Sequence, residues 1–189
     1  LEGDFTNGEL DGKGVQTNKS GYIYDGDWKT GKKSGIATIH YEGGGKYEGK
    51  VIDGVRQGEG TLTLLNGTIL KGNFKNGTIS GKGSIIYANG DGYIGELLNN
   101  NIEGQGIKKF ASGSIYEGNF KNNSFNGYGV YKSNDGYIAE GNWINGQIQG
   151  KGKITYPDLS IYNGELIKGL PNGTGTINYG DGSNYSGQW

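Results

Sequence analysis

Over most of the chain apolar and polar residues alternate with the two-residue period of a β-strand. In Tyr24-Asp25-Gly26-Asp27-Trp28 the aromatics and the glycine share one face and the carboxylates the other. In Gly81-Lys82-Gly83-Ser84-Ile85-Ile86-Tyr87 the residues Gly81, Gly83, Ile85 and Tyr87 fall together. Both segments predict short strands, and no helix is predicted.

The alternation itself recurs. Stepping by 23 from Gly3 gives Gly26, Gly49, Gly72, Gly95, Gly118, Gly141, Gly164 and Gly187 without a break. A second unbroken series runs Gly12, Gly35, Gly58, Gly81, Gly104, Gly127, Gly150 and Gly173, and a third starts at Gly14 and is interrupted only by Ala37. Two residues before each first-series glycine stand Leu1, Tyr24, Tyr47, Leu70, Tyr93, Tyr116, Ala139, Tyr162 and Tyr185. Two residues after it stand Phe5, Trp28, Val51, Phe74, Leu97, Phe120, Trp143, Leu166 and Trp189. Eight full repeats are therefore expected, at 1–23, 24–46, 47–69, 70–92, 93–115, 116–138, 139–161 and 162–184, with a ninth beginning at 185–189. They read as one array in which every repeat has equivalent neighbours.

Parity fixes the turns, because a slip by one residue turns a whole face over. Within a repeat the shared face demands an even loop, and Asn7-Gly8, Asn76-Gly77 and Asn145-Gly146 suit the two-residue type I′ turn. Between repeats an odd loop is needed, and Asn89-Gly90, Asp135-Gly136 and Asp181-Gly182 suit a three-residue loop with a left-handed glycine and a bulge. Leu159 replaces that glycine after Pro157-Asp158, so its turn is expected to be the least regular. The same counting sets Gly106 opposite Tyr93 and Gly104 opposite Gly95, so that rings lie over bare backbone. The expected fold is all-β: an elongated, twisted, single-layer antiparallel meander of about 16 strands, roughly 75 Å long at about 4.8 Å per strand.

Composition supports packing rather than disorder. With 41 Gly and 32% hydrophobic residues the chain would read as low-complexity, but 14 Tyr, 5 Phe and 3 Trp concentrate its apolar surface in aromatics. Eighteen basic against 19 acidic residues leave a net charge of −1, which gives no field for nucleic acid. Even Lys29, Lys32, Lys33, Lys46, Lys50 and Arg56 are interleaved with Asp25, Asp27, Glu42, Glu48 and Asp53. The chain begins at Leu1, has no Met and ends inside a repeat, so it is expected to be part of a longer one.

Candidate chemistry is sparse. The single histidine, His40, occupies a position that is elsewhere Thr17, Thr63, Ile86 or Lys109, and reads as a solvent-facing strand residue. With no Cys, neither a thiolate metal site nor a Cys-His pair can form, and no catalytic, metal or cofactor residue is expected. Gly77 to Ser84 has neither the spacing of a phosphate loop nor a helix after it. The sequons at Asn18, Asn66, Asn76, Asn122, Asn172 and Asn184 mostly coincide with turns and are read as turn chemistry.

Tyr116-Glu117-Gly118-Asn119-Phe120-Lys121-Asn122 followed by Gly127-Tyr128-Gly129, and Tyr24-Asp25-Gly26-Asp27-Trp28-Lys29, resemble the MORN (membrane occupation and recognition nexus) repeat. The resemblance covers essentially the whole chain. It implies a grooved antiparallel sheet with a non-catalytic role, as in arrays of ciliary, cytoskeletal and membrane-junction proteins or beside catalytic domains of kinases and a methyltransferase.

A single-layer sheet would leave its aromatic stripe partly open to a partner. The candidate groove residues are Tyr24, Trp28, Tyr47, Phe74, Tyr93, Tyr116, Phe120, Trp143 and Tyr162. The function expected is a protein-binding scaffold in a cytoskeletal or ciliary assembly, holding a helix or extended segment along the aromatic face, with end-to-end pairing through free sheet edges as a further possibility. The alternatives are a phosphoinositide or membrane-surface tether, which the interleaved charges disfavour, and the regulatory part of a larger enzyme.

Overall fold

The computed structural model describes residues Leu1–Trp189, with seventeen strands and no helix, all antiparallel members of one sheet. The strands fall into two compact units, Leu1–Gly90 with Leu97–Asn100, and Asp91–Glu96 with Asn101–Trp189. The first holds β1 (Glu2–Thr6), β2 (Glu9–Thr17), β3 (Ile23–Lys29), β4 (Lys32–His40), β5 (Lys46–Ile52), β6 (Val55–Thr63), β7 (Ile69–Lys75) and β8 (Thr78–Ile86). Residues of β9 (Gly92–Leu98) belong to both. The second holds β10 (Asn101–Lys109), β11 (Ile115–Lys121), β12 (Ser124–Lys132), β13 (Ile138–Ile144), β14 (Gln147–Thr155), β15 (Ile161–Ile167), β16 (Leu170–Asn178) and β17 (Asn184–Gln188).

The turns follow the parity argument. Lys29 pairs with Lys32 and Lys121 with Ser124, so the hairpin inside each repeat closes over two residues. Both take positive φ, 51° and 86° at Asn76-Gly77 and 48° and 65° at Asn122-Asn123, as type I′ requires. Between repeats three residues intervene: Ser133 N–H donates to Tyr137 O, Gly136 N–H donates to Ser133 O, and Gly136 has φ 96°.

Two expectations are corrected. The turn at Leu159 is as regular as the rest, because Leu159 accepts φ 68° and both cross-turn hydrogen bonds form, Tyr156 N–H to Ser160 O at 2.8 Å and Leu159 N–H to Tyr156 O at 2.9 Å. Asp158 Oδ1 accepts from Ser160 N at 2.9 Å, as Asp135 Oδ1 accepts from Tyr137 N and Asp181 Oδ1 from Ser183 N in the turns that carry glycine. The register within the repeat also differs. Tyr116 pairs with Tyr131 and Gly118 with Gly129, but Phe120 pairs with Phe125, so the second strand carries two more residues than the first across a bulge. The bulge contains the second-series glycine, which takes positive φ throughout, from 61° at Gly104 to 124° at Gly12. Tyr93 is therefore not opposite Gly106; that glycine lies against Gly95.

Across the strands of each unit the first and third glycine series form one continuous row. Gly14, Gly26, Ala37, Gly49, Gly60, Gly72 and Gly83 pair in turn in the first unit, and Gly106, Gly118, Gly129, Gly141, Gly152, Gly164, Gly175 and Gly187 in the second. The row forms the floor on which the large side chains of one face, the ring face, are packed.

Candidate partner-binding face

The leading tyrosine of a repeat lies across this floor. A Cβ at Gly60 would stand 2.5 Å from the Tyr47 hydroxyl, and one at Gly175 would stand 2.5 Å from the Tyr162 ring. Each hydroxyl then donates to the backbone carbonyl three residues ahead: Tyr24 to Asp27 at 2.7 Å, Tyr47 to Lys50 at 2.8 Å, Tyr93 to Glu96 at 2.8 Å, Tyr116 to Asn119 at 3.1 Å and Tyr162 to Glu165 at 2.7 Å. Asp27, Lys50, Asn119 and Glu165 are the residues that the bulge drops from the hairpin pairing. Phenylalanine would cover the floor equally well but would leave that carbonyl without its donor, which is a physical reason for tyrosine. Where the tyrosine is missing, as at Leu1, Leu70 and Ala139, the start of the next strand supplies Leu10, Ile79 or Ile148 over the same glycines.

The second aromatic of the repeat locks neighbouring repeats together. Trp28 Nε1 donates to Gly14 O at 2.9 Å and Trp143 Nε1 to Gly129 O at 3.0 Å. The tyrosine of one repeat meets the second aromatic of the next edge to face: Tyr47 with Phe74 and Tyr93 with Phe120 at 5.2 Å, Tyr116 with Trp143 at 5.4 Å. Such pairs add about 0.5–1.5 kcal/mol each beyond the area they bury.

This packing corrects the picture of an open aromatic ladder. Tyr24, Trp28, Tyr47, Phe74, Tyr93, Tyr116, Phe120, Trp143 and Tyr162 are all between 0% and 8% exposed. A flat floor lets the rings lie down, and their neighbours close over them. Burial pushes the phenols of Tyr47 and Tyr116 up to about 12 and raises Tyr24 as well, to which the Asp27 carboxylate adds. These nine residues are the core of the ring face rather than its surface.

Its surface is made by residues that sequence reasoning did not count among the groove candidates. Tyr22, Tyr41, Tyr87, Phe110, Tyr137 and Tyr156 flank the turns between repeats, are half-buried, and lie on the same face. Their signal was in the sequence: Tyr41, Tyr87, Phe110, Tyr156 and Tyr179 share one position of the 23-residue period. In the second unit Tyr137 and Tyr156 stand 6.2 Å apart, and Tyr131 lies 6.2 Å from Phe110 and 6.4 Å from Trp143. In the first unit two cations cap the rings. Lys33 Nζ lies 4.6 Å from the centre of Tyr22 and 5.0 Å from that of Tyr24, and the Arg56 guanidinium lies 5.7–5.9 Å from Tyr41, Tyr47 and Phe74.

The opposite face is polar. His40 is exposed there and pairs in the ladder with Ile23 and Lys46. Lys13 and Asp27 form an ion pair at 2.6 Å, and the Lys13 contact with the Ile36 N–H bond holds the Asp27 carboxyl below its ordinary range. Tyr128 donates to Glu140 at 2.5 Å, which raises the Tyr128 phenol.

The MORN repeat family model matches eight times, at residues 2–21, 24–46, 47–69, 71–92, 93–115, 116–136, 140–161 and 162–184. No curated protein matches the chain. Among solved structures, the TCP domain of SAS-4 (dCPAP) of Drosophila melanogaster, in complex with a proline-rich motif of Ana2 (dSTIL), is similar in fold. It is 16% identical with a TM-score of 0.51, over 94% of this chain and 90% of that one. The wild-type TCP10 domain of Danio rerio CPAP is 11% identical with a TM-score of 0.43, over 98% of this chain and 86% of that one.

Proposed function

The chain belongs to the MORN repeat family, and from that premise we propose that it is a non-catalytic protein-binding scaffold. Its ring face holds a helix or extended segment of a partner, within a cytoskeletal or ciliary assembly. The observation that carries this reading is the half-buried aromatic surface, with Tyr131 beside the buried Trp143 ring and Tyr137 beside Tyr156, in a chain whose strands all belong to one sheet. Tyrosine suits such a surface because its apolar ring and polar edge serve contact area and hydrogen bonding together. The Drosophila domain of similar fold holds a proline-rich motif, which supports segment binding on this architecture. A membrane-surface role is less favoured, since Lys13, Lys32 and Lys46 are paired with Asp27, Asp53 and Glu48 at 2.6, 3.7 and 2.8 Å.

The test is capture of partners from a cytoskeletal extract by the tagged chain. Tyr137→Glu with Tyr156→Glu is expected to abolish capture, while Tyr128→Glu on the opposite face leaves it intact, both with unchanged circular dichroism. Equal capture by both variants would sink the ring-face reading.

A further inference from the structure

The seventh repeat carries a hollow on its ring face. It measures about 290 Å³ and is lined by Phe125, Tyr131, Tyr137, Trp143 and Ile148, with Lys168 at its rim. All of these residues belong to the second unit.

The chain itself shows what such a place accepts. Five periods earlier Tyr22 and Trp28 stand where Tyr137 and Trp143 stand here, and Lys33 fills the space between them, its Nζ 4.6 Å from the Tyr22 ring centre and 5.7 Å from that of Trp28. The residue equivalent to Lys33 is Ile148, so the seventh repeat supplies no cation of its own. An outside occupant could be a cation or a neutral apolar group, and the rim decides between them. Lys168 takes the place that Asp53 holds beside the Lys33 site, and no lining residue is acidic. An ammonium entering the hollow would meet repulsion from Lys168 and no carboxylate to offset it.

Among neutral occupants the hydroxyls discriminate. Tyr131 and Tyr137 lie half-buried around the hollow, and their hydroxyls donate to no group of the protein, unlike the phenols of Tyr116 and Tyr162, which are spent on backbone carbonyls. A helix presents a side chain but keeps its carbonyls to itself. A polyproline II segment presents flat pyrrolidine rings and carbonyls with no internal donor.

We propose that this hollow is the anchor site for a proline held in polyproline II conformation, with its carbonyls accepting from Tyr131 and Tyr137 and an acidic residue beside it meeting Lys168. The proposal rests on the ring-face reading above and specifies the chemistry of one subsite within it.

The test is fluorescence anisotropy with a fluorescein-labelled peptide of Pro-Pro-Leu-Pro repeats ending in two glutamates. Ala139→Tyr with Ile148→Lys rebuilds in the seventh repeat the arrangement of Tyr24 and Lys33 in the second, where the lysine amine lies beside the Tyr22 and Trp28 rings, so it fills the hollow with a set of residues that the chain already accommodates. It is expected to weaken the peptide at least about tenfold with no fall in thermal midpoint. Tyr131→Phe with Tyr137→Phe should weaken it severalfold through lost donors alone, and Lys168→Glu should weaken this peptide but not one lacking the glutamates. Equal affinity for the wild-type chain and the Ala139→Tyr, Ile148→Lys variant would overturn the proposal, as would tighter wild-type binding of a lysine-rich peptide of equal length. No peptide binding alongside partner capture lost through Tyr137→Glu and Tyr156→Glu would refute this subsite and leave the ring-face reading standing; failure of both would remove that reading as well.

Discussion

A methyl group at Gly129 would stand 2.5 Å from the Tyr116 ring carbon that bears the hydroxyl. That ring cannot retreat, because Phe125 is stacked on it at 3.7 Å and its hydroxyl is tied to Asn119 O at 3.1 Å. Gly129→Ala is therefore expected to cost about 2–3 kcal/mol, read by urea denaturation, and a cost near zero would contradict the floor-and-ring packing. Leu159 presents the opposite case. It is 74% exposed with φ 68°, so it contributes little burial and bears the steric cost of a left-handed residue. Leu159→Gly is expected to stabilise by about 0.5–1 kcal/mol, since relief of about 1–2 kcal/mol exceeds glycine's greater chain entropy. The series of glycines were legible in the sequence, but their division of labour was not. The series of Gly12 and Gly35 serves backbone conformation in the bulge, and only the other two make the floor.

At the level of strands and hairpins, parity settled which residues share a face and failed to settle register. The reason is that the bulge inserts two residues between the Gly118–Gly129 and Phe120–Phe125 pairs, and a shift of two leaves every side chain on the side where it was. Tyr116 and Gly118 were thus assigned to the right face and the wrong partners. The turns carried no such ambiguity, because type I′ and glycine-bulge loops have their own residue chemistry. The same arithmetic yields a prediction. Deleting residues 24–46 removes one whole period and joins equivalent neighbours, so the β-rich circular dichroism spectrum and a cooperative melt should survive. A deletion one residue shorter turns the downstream strands over at the junction and should lose the cooperative transition. Equal behaviour of the two would show that the period does not set the packing.

For the molecule as a whole, the buried phenols tie stability to alkaline pH. Tyr47 in one unit and Tyr116 in the other hold their protons to about 12 against about 10 for tyrosine in an unfolded chain. Below pH about 10 both states are protonated and the stabilisation is fully present. Above it the unfolded state gives up protons that the folded state keeps, so stability falls as pH rises from about 10 towards about 12. The urea midpoint should decline across that window, and a flat profile would mean that these rings are wet. Their burial was the part of the candidate site least legible beforehand. Alternation placed Tyr24, Trp28 and Trp143 on one face, but how far they close depends on rings lying flat on a continuous glycine row, which emerges only from the cross-strand pairing. The half-buried members, Tyr131, Tyr137 and Tyr156, follow the same period at positions where other repeats carry Ile154, Ser160 or Ser133, and that variation hid them. The most direct measurement of the account is hydroxyl-radical footprinting of the chain, free and with a captured partner. Protection confined to Tyr131, Tyr137 and Tyr156, with Tyr128 unchanged, is the result it predicts; protection at Tyr128 with those three unaltered would contradict it.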